Sequence, residues 1–150
     1  MGRNLDDLFV YPKQLLDEES LSVVRLVRQW SDREIVTKRM EYREGYEHLF
    51  AEQRKKLCID IGIQKLTIPA DLGGFGWNSP SKAPAMLALA LEIGRADASL
   101  GVLSAMPWVL FLMVTRQRDH NAKQRSALAS VYSEEAVRTP GLILTGPGLK

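Results

Sequence analysis

Residues 98–115 run for 18 positions without a formal charge, and no other stretch limits the possible folds so strongly. So long an apolar run must be covered by a protein core or by lipid, because each Å² left wet forfeits roughly 25 cal/mol. Its length touches the lower limit for a membrane-spanning helix. Three features favour a core. Pro107 stands mid-run, where a proline removes a helical hydrogen bond at a cost of roughly 3 kcal/mol. Gly101, Ser99 and Ser104 lower the hydropathy, and the sequence holds no companion span. The run is therefore expected to form a pair of buried core helices divided at Pro107, with no membrane span. The first residues do not read as a secretory signal. Arg3 is followed by Asp6 and Asp7, and the apolar Leu8, Phe9 and Val10 stop at Pro12.

Such a run needs other helices around it, and the flanking sequence has their period. Asp17 is placed to cap a first helix, with Glu18 and Glu19 where the helix dipole favours negative charge. Val23, Val24, Val27, Trp30, Ile35 and Val36 then recur at helical spacing, with Arg25, Arg28, Asp32 and Arg33 on the opposite face. This predicts one rod from Asp17 to Gly45, of roughly 40 Å. A second helix is expected over residues 47–61, ended by Gly62, with Arg54, Lys55 and Lys56 as a solvated face. Residues 65–69 are expected to be extended, because Pro69 disfavours a helical Ile68. Gly73, Gly74, Gly76, Asn78, Ser79 and Pro80 then make a loop. A third helix, capped by Ser81 and with Pro84 in its first turn, runs to Gly94; being apolar almost all round, it is expected to be buried on several sides. Asp97 caps the fourth helix, residues 116–121 form a polar loop, and a last helix spans 122–131. Leu142, Ile143 and Leu144 resemble a strand, which needs a partner in a sheet. The expected fold class is all-α, a bundle of five or six helices with a short C-terminal extended segment.

Composition bounds the function only by exclusion. Hydrophobic types make up 45% and charged types 25% of 150 residues, which excludes a disordered or fibrous chain and suits one domain. A net charge of +2 gives no electrostatic reason to expect nucleic acid as a partner. The single Cys58 cannot form an internal disulfide and suits a reducing compartment such as the cytoplasm. Within a helix it reads as a small core residue rather than a nucleophile. LGGFG at 72–76 lacks the Lys and Ser/Thr of a phosphate-binding loop and reads as a structural turn. His48 and His120 have no ligands at convincing metal spacing. Glu92 and Asp97 fit a helix end and a cap better than an acid–base pair. No catalytic residue is assigned.

The order of four segments is nevertheless specific. WSDREIV at 30–36, PADLGGFG at 69–76, LEIGRADASLG at 91–101 and AKQRSAL at 122–128 resemble, in that order, the N-terminal helical domain of the acyl-CoA dehydrogenase family, and LILTGPG follows at 142–148. LILTGPG is similar to the start of that family's middle β domain, although Gly146 stands where an acidic residue is common. The resemblance implies a helical domain at 1–140 and the beginning of a β domain at 141–150. Further domains of a longer flavoprotein would then complete the molecule.

Members of the family use FAD to oxidise an acyl-CoA thioester to its enoyl form, and an N-terminal domain supplies one wall of the acyl slot. By this resemblance the substrate-facing residues are Gly101, Val102, Ala105 and Val109, while Leu144 and Thr145 approach the flavin. The first four are equally ordinary core types. The resemblance also implies a homo-oligomer, with the catalytic base supplied outside this segment, so that the segment alone neither holds FAD nor turns over a thioester. The alternative is a non-catalytic helical interaction module or subunit of the same descent.

Overall fold

A computed structural model describes residues 13–116, 122–133 and 136–138. Six α-helices and several short 3₁₀ and π turns lie among the described residues, with no strand, so the fold is all-α. The helices are α1 (Glu18–Ser31), α2 (Arg39–Glu44), α3 (Tyr46–Lys55), α4 (Ala83–Ala96), α5 (Ala98–Arg116) and α6 (Ala122–Ser133). The expected strand at 142–144 lies outside the described residues, as does most of the expected loop, with His120. No helix among the described residues is long and apolar enough to cross a membrane. The chain divides into two units: Met1–Gln53 with Ser79–Val102, and Arg54–Asn78 with Leu103–Lys150.

In the first unit α1 packs on α4. Val24, Val27, Ala88, Leu89 and Ile93 are fully buried, and each larger aliphatic chain buried this way contributes roughly 1.5–3 kcal/mol. Asp17 caps α1 as expected, its carboxylate accepting the Ser20 N–H at 2.8 Å. Lys82 Nζ reaches across from the start of α4 to Asp17 at 2.8 Å and Glu19 at 3.1 Å. The hydrogen bond from Lys82, with those from Ser20, holds the Asp17 carboxyl well below the usual carboxylate range.

Three expectations for this unit need correction. The first helix does not run on to Gly45. It widens after Ser31 into a π turn, Asp32–Val36, closed by the Thr37 N–H donating to the Asp32 carbonyl at 2.9 Å, and Lys38 leaves the helical region. The charged stretch beyond has no apolar stripe in register with that of α1, and the inserted residue re-aims the chain so that Ile35 and Tyr42 are both buried. Next, α4 is not covered all round. Leu87 and Leu91, one turn apart, are 60% and 48% exposed, because α1 covers a single face. Finally, Ser81 does not cap α4. It lies in a 3₁₀ turn, Pro80–Lys82, with its hydroxyl 2.6 Å from that of Ser79.

In the second unit a π turn, Lys56–Asp60, ends at Ile61, and Gly62 takes the left-handed conformation (φ 84°) expected of a terminating glycine. Of residues 65–69 only Pro69 has a clearly extended backbone (φ −55°, ψ 148°); Lys65 closes a 3₁₀ turn, Ile63–Lys65, Leu66 is helical, and the segment folds against the glycine loop. Phe75, Gly76 and Trp77 N–H donate to the Lys65, Ile68 and Leu66 carbonyls at 3.1, 2.8 and 2.8 Å. Gly74 is needed there, since a Cβ on it would collide with the Ile68 carbonyl. Ile68, Phe111, Ala129 and Tyr132 form a buried cluster, flanked by Leu72, Leu110 and Leu128.

Pro107 does not divide the apolar run, for α5 continues through it. The proline deprives the Leu103 carbonyl of its usual partner, yet its ring is buried and the next residue is anchored. Trp108 is 2% exposed, and its Nε1 donates to the Ile63 carbonyl at 2.6 Å. At the end of α6, where carbonyls lose their helical donors, Gln64 Nε2 donates to the Tyr132 and Ala136 carbonyls at 3.2 and 3.3 Å.

Candidate functional site

Most of the residues singled out by sequence lie on α5. Asp97 starts it as expected, Oδ1 accepting the Leu100 N–H at 2.8 Å. One position later Gly101 meets α4. A Cβ on Gly101 would stand 2.9 Å from Gly94 Cα and 3.1 Å from Gly94 N, so only a hydrogen at this position lets the two backbones approach so closely. Gly101 is thus buried at a helix crossing within the first unit. Val102 in the same unit is 64% exposed.

Ala105 and Val109 belong to the second unit, four residues apart and hence on one face of α5. Ala105 is half-buried and Val109 is 44% exposed. Trp108, next to Val109, points into its own unit's core. Leu144 and Thr145 lie outside the described residues.

The residues that sequence reasoning missed hold α4 in place. Arg28, placed on the solvent face by its charge, is buried. Its Nη1 donates to Glu92 Oε1 at 2.7 Å, with both side chains only about 5% exposed. Arg95 Nε donates to the other Glu92 oxygen at 3.0 Å, and Arg95 Nη2 reaches Asp32 Oδ1 at 2.6 Å. Glu92 is therefore clamped between two guanidiniums, which makes it a strut between α1 and α4 rather than a free base. Gly94 lies in the same turn of α4 as Glu92 and Arg95. The network thus fixes the surface on which Gly101 seats α5.

A signal for the pair existed. Glu92 continues the buried row Ala85, Ala88, Leu89 of α4, and Arg28 the row Val24, Val27, Ser31 of α1. A charge within a buried stripe needs a buried partner.

The remaining titratable groups offer little chemistry. Burial pushes the Cys58 thiol up, against the opposing influence of Arg54 and Ser104, so it stays protonated in a core position. His48 is exposed. No group of three or more His, Cys, Asp or Glu able to hold a metal ion occurs among the described residues.

Residues 17–131 match the model for the acyl-CoA dehydrogenase N-terminal domain, and the chain belongs to that family. No curated protein and no solved structure matched the chain.

Proposed function

We propose that this chain forms one wall of the acyl-CoA and FAD site in an acyl-CoA dehydrogenase-like flavoprotein of fatty-acid metabolism, working in the cytoplasm as a homo-oligomer. The observation that carries the reading is the family match over 17–131, on a helix whose Val102 and Val109 leave apolar surface uncovered. In this reading Val102, Ala105 and Val109 lie along the acyl tail and exclude water from it. Gly101 contributes by position, letting α5 sit close on α4 at a fixed height. Exclusion of water and fixed geometry are what proton and hydride transfer from adjacent carbons require.

Leu144 and Thr145 are assigned to the flavin by the family pattern. When bound, FAD supplies the hydride acceptor for α,β-dehydrogenation. The α-proton goes to a carboxylate outside this segment, so the segment alone neither retains FAD nor turns over a thioester.

The test is to express the complete coding sequence that contains this chain. Flavin absorbance in the purified product, together with enoyl-CoA formation from a saturated acyl-CoA, is the expected result. A colourless, inactive protein contradicts the proposal and favours an interaction module.

A further inference from the structure

A cavity of about 310 Å³ opens in the first unit, and none of the residues assigned to the acyl chain lines it. Its apolar lining comes from Ile35, Met40, Ala96 and the rings of Tyr42 and Tyr46, which meet edge-on at 5.6 Å between centroids. Tyr42 is 5% exposed, and its hydroxyl is turned toward the Asp97 carboxylate. Burial, then the nearby Asp97 carboxylate, pushes that phenol's pKa up, so it remains a neutral O–H donor. Arg39 and Arg43 border the same cavity from one face of α2, four residues apart, and neither has an ion-pair partner among the described residues. Asp97 is the one carboxylate on the lining, and its Oδ1 is engaged by the Leu100 N–H. Two guanidiniums against one carboxylate leave the mouth net positive.

We propose that this cavity binds a small organic anion, a carboxylate or phosphate head on an apolar body about the size of one aromatic ring. The volume sits at the lower end of the range for small-molecule sites, roughly 300–1,000 Å³. The tyrosine faces and aliphatic floor suit a ring. Paired guanidiniums suit a planar or tetrahedral anion. The inference does not depend on the acyl-CoA reading, because no residue is shared between the two sites.

The experiment titrates this chain with 3-phenylpropionate and phenyl phosphate as the two anionic heads. The neutral 3-phenylpropanol and inorganic phosphate serve as controls, and the Tyr42 and Tyr46 ring signals are followed by NMR. Saturable shifts at millimolar ligand or below are expected for at least one aryl anion, about tenfold tighter than for the alcohol. Arg39→Gln with Arg43→Gln is expected to bring the anions to the level of the alcohol. Met40→Trp is expected to block the cavity. All three positions are exposed, so these variants keep the fold. Equal binding of alcohol and anion, unchanged binding in the double variant, inorganic phosphate binding as tightly as the aryl anions, or no saturable shift at all would each overturn the proposal.

Discussion

The two units are held by different physics, although each is all-helical. In the first, two helices meet across apolar side chains, but a buried Arg28–Glu92 pair extended by Arg95 and Asp32 sets their registration. In the second, aromatic and aliphatic side chains form the core. Its polar links are directed from side chain to backbone, Trp108 to the Ile63 carbonyl and Gln64 to the end of α6. A charge network is sensitive to the loss of one member, since it strands the other in a dry place. An apolar core responds in proportion to the volume removed.

The largest effects should come from the two cores. Glu92→Ala is expected to lose about 3–5 kcal/mol in urea unfolding, whereas Arg28→Met combined with Glu92→Leu should lose far less. Phe111→Ala should also lose about 3–5 kcal/mol, with no second substitution of that kind to rescue it. Hydrogen exchange would show faster opening of α1 and α4 in the first case and of α6 in the second. Equal losses for the single and double changes at Arg28 and Glu92 would erase the contrast.

Gly101→Ala should follow, losing about 1–3 kcal/mol as the crossing at Gly94 is forced apart. Trp108→Phe should lose about 0.5–1.5 kcal/mol by removing one of two hydrogen bonds to the Ile63 carbonyl, which keeps the Leu66 N–H at 3.2 Å. The same amide-exchange measurement reports both.

The smallest effect is the response to pH at the Asp17–Lys82 contact. Asp17 has a folded pKa depressed below its ordinary 3.8, so its contribution is complete above that value and is lost as the pH falls further. Lys82 is shifted the other way. Burial lowers its pKa, but the hydrogen bonds to Asp17 and Glu19 outweigh that and raise it above 10.5, so its contribution is complete below that pH and lost above it. Lys82→Met should flatten the acid limb in a series of urea melts. An unchanged acid limb would remove this contact from the account.

What the sequence made legible was local. Asp17 and Asp97 are caps because a short side-chain acceptor sits just before an apolar period, and Gly62 ends a helix because the chain needs a positive φ there. The break at Pro107 was misjudged for the converse reason. Its local cost is real, but a buried ring and an anchored tryptophan outweigh it. The Arg28–Glu92 pair spans 64 positions, and neither π turn has a residue signature of its own. The proposed acyl-facing positions were legible only as a row of small and apolar residues, a pattern that core and binding surface share.

The most direct test of that assignment is the chain-length profile of kcat/KM for acyl-CoA oxidation by the product of the complete coding sequence, compared between the unaltered protein and Ala105→Leu or Val109→Phe. If these residues line the acyl tail, the added bulk shifts preference toward shorter acyl chains while the flavin stays bound. An unchanged profile in a folded, flavin-loaded variant would contradict the account.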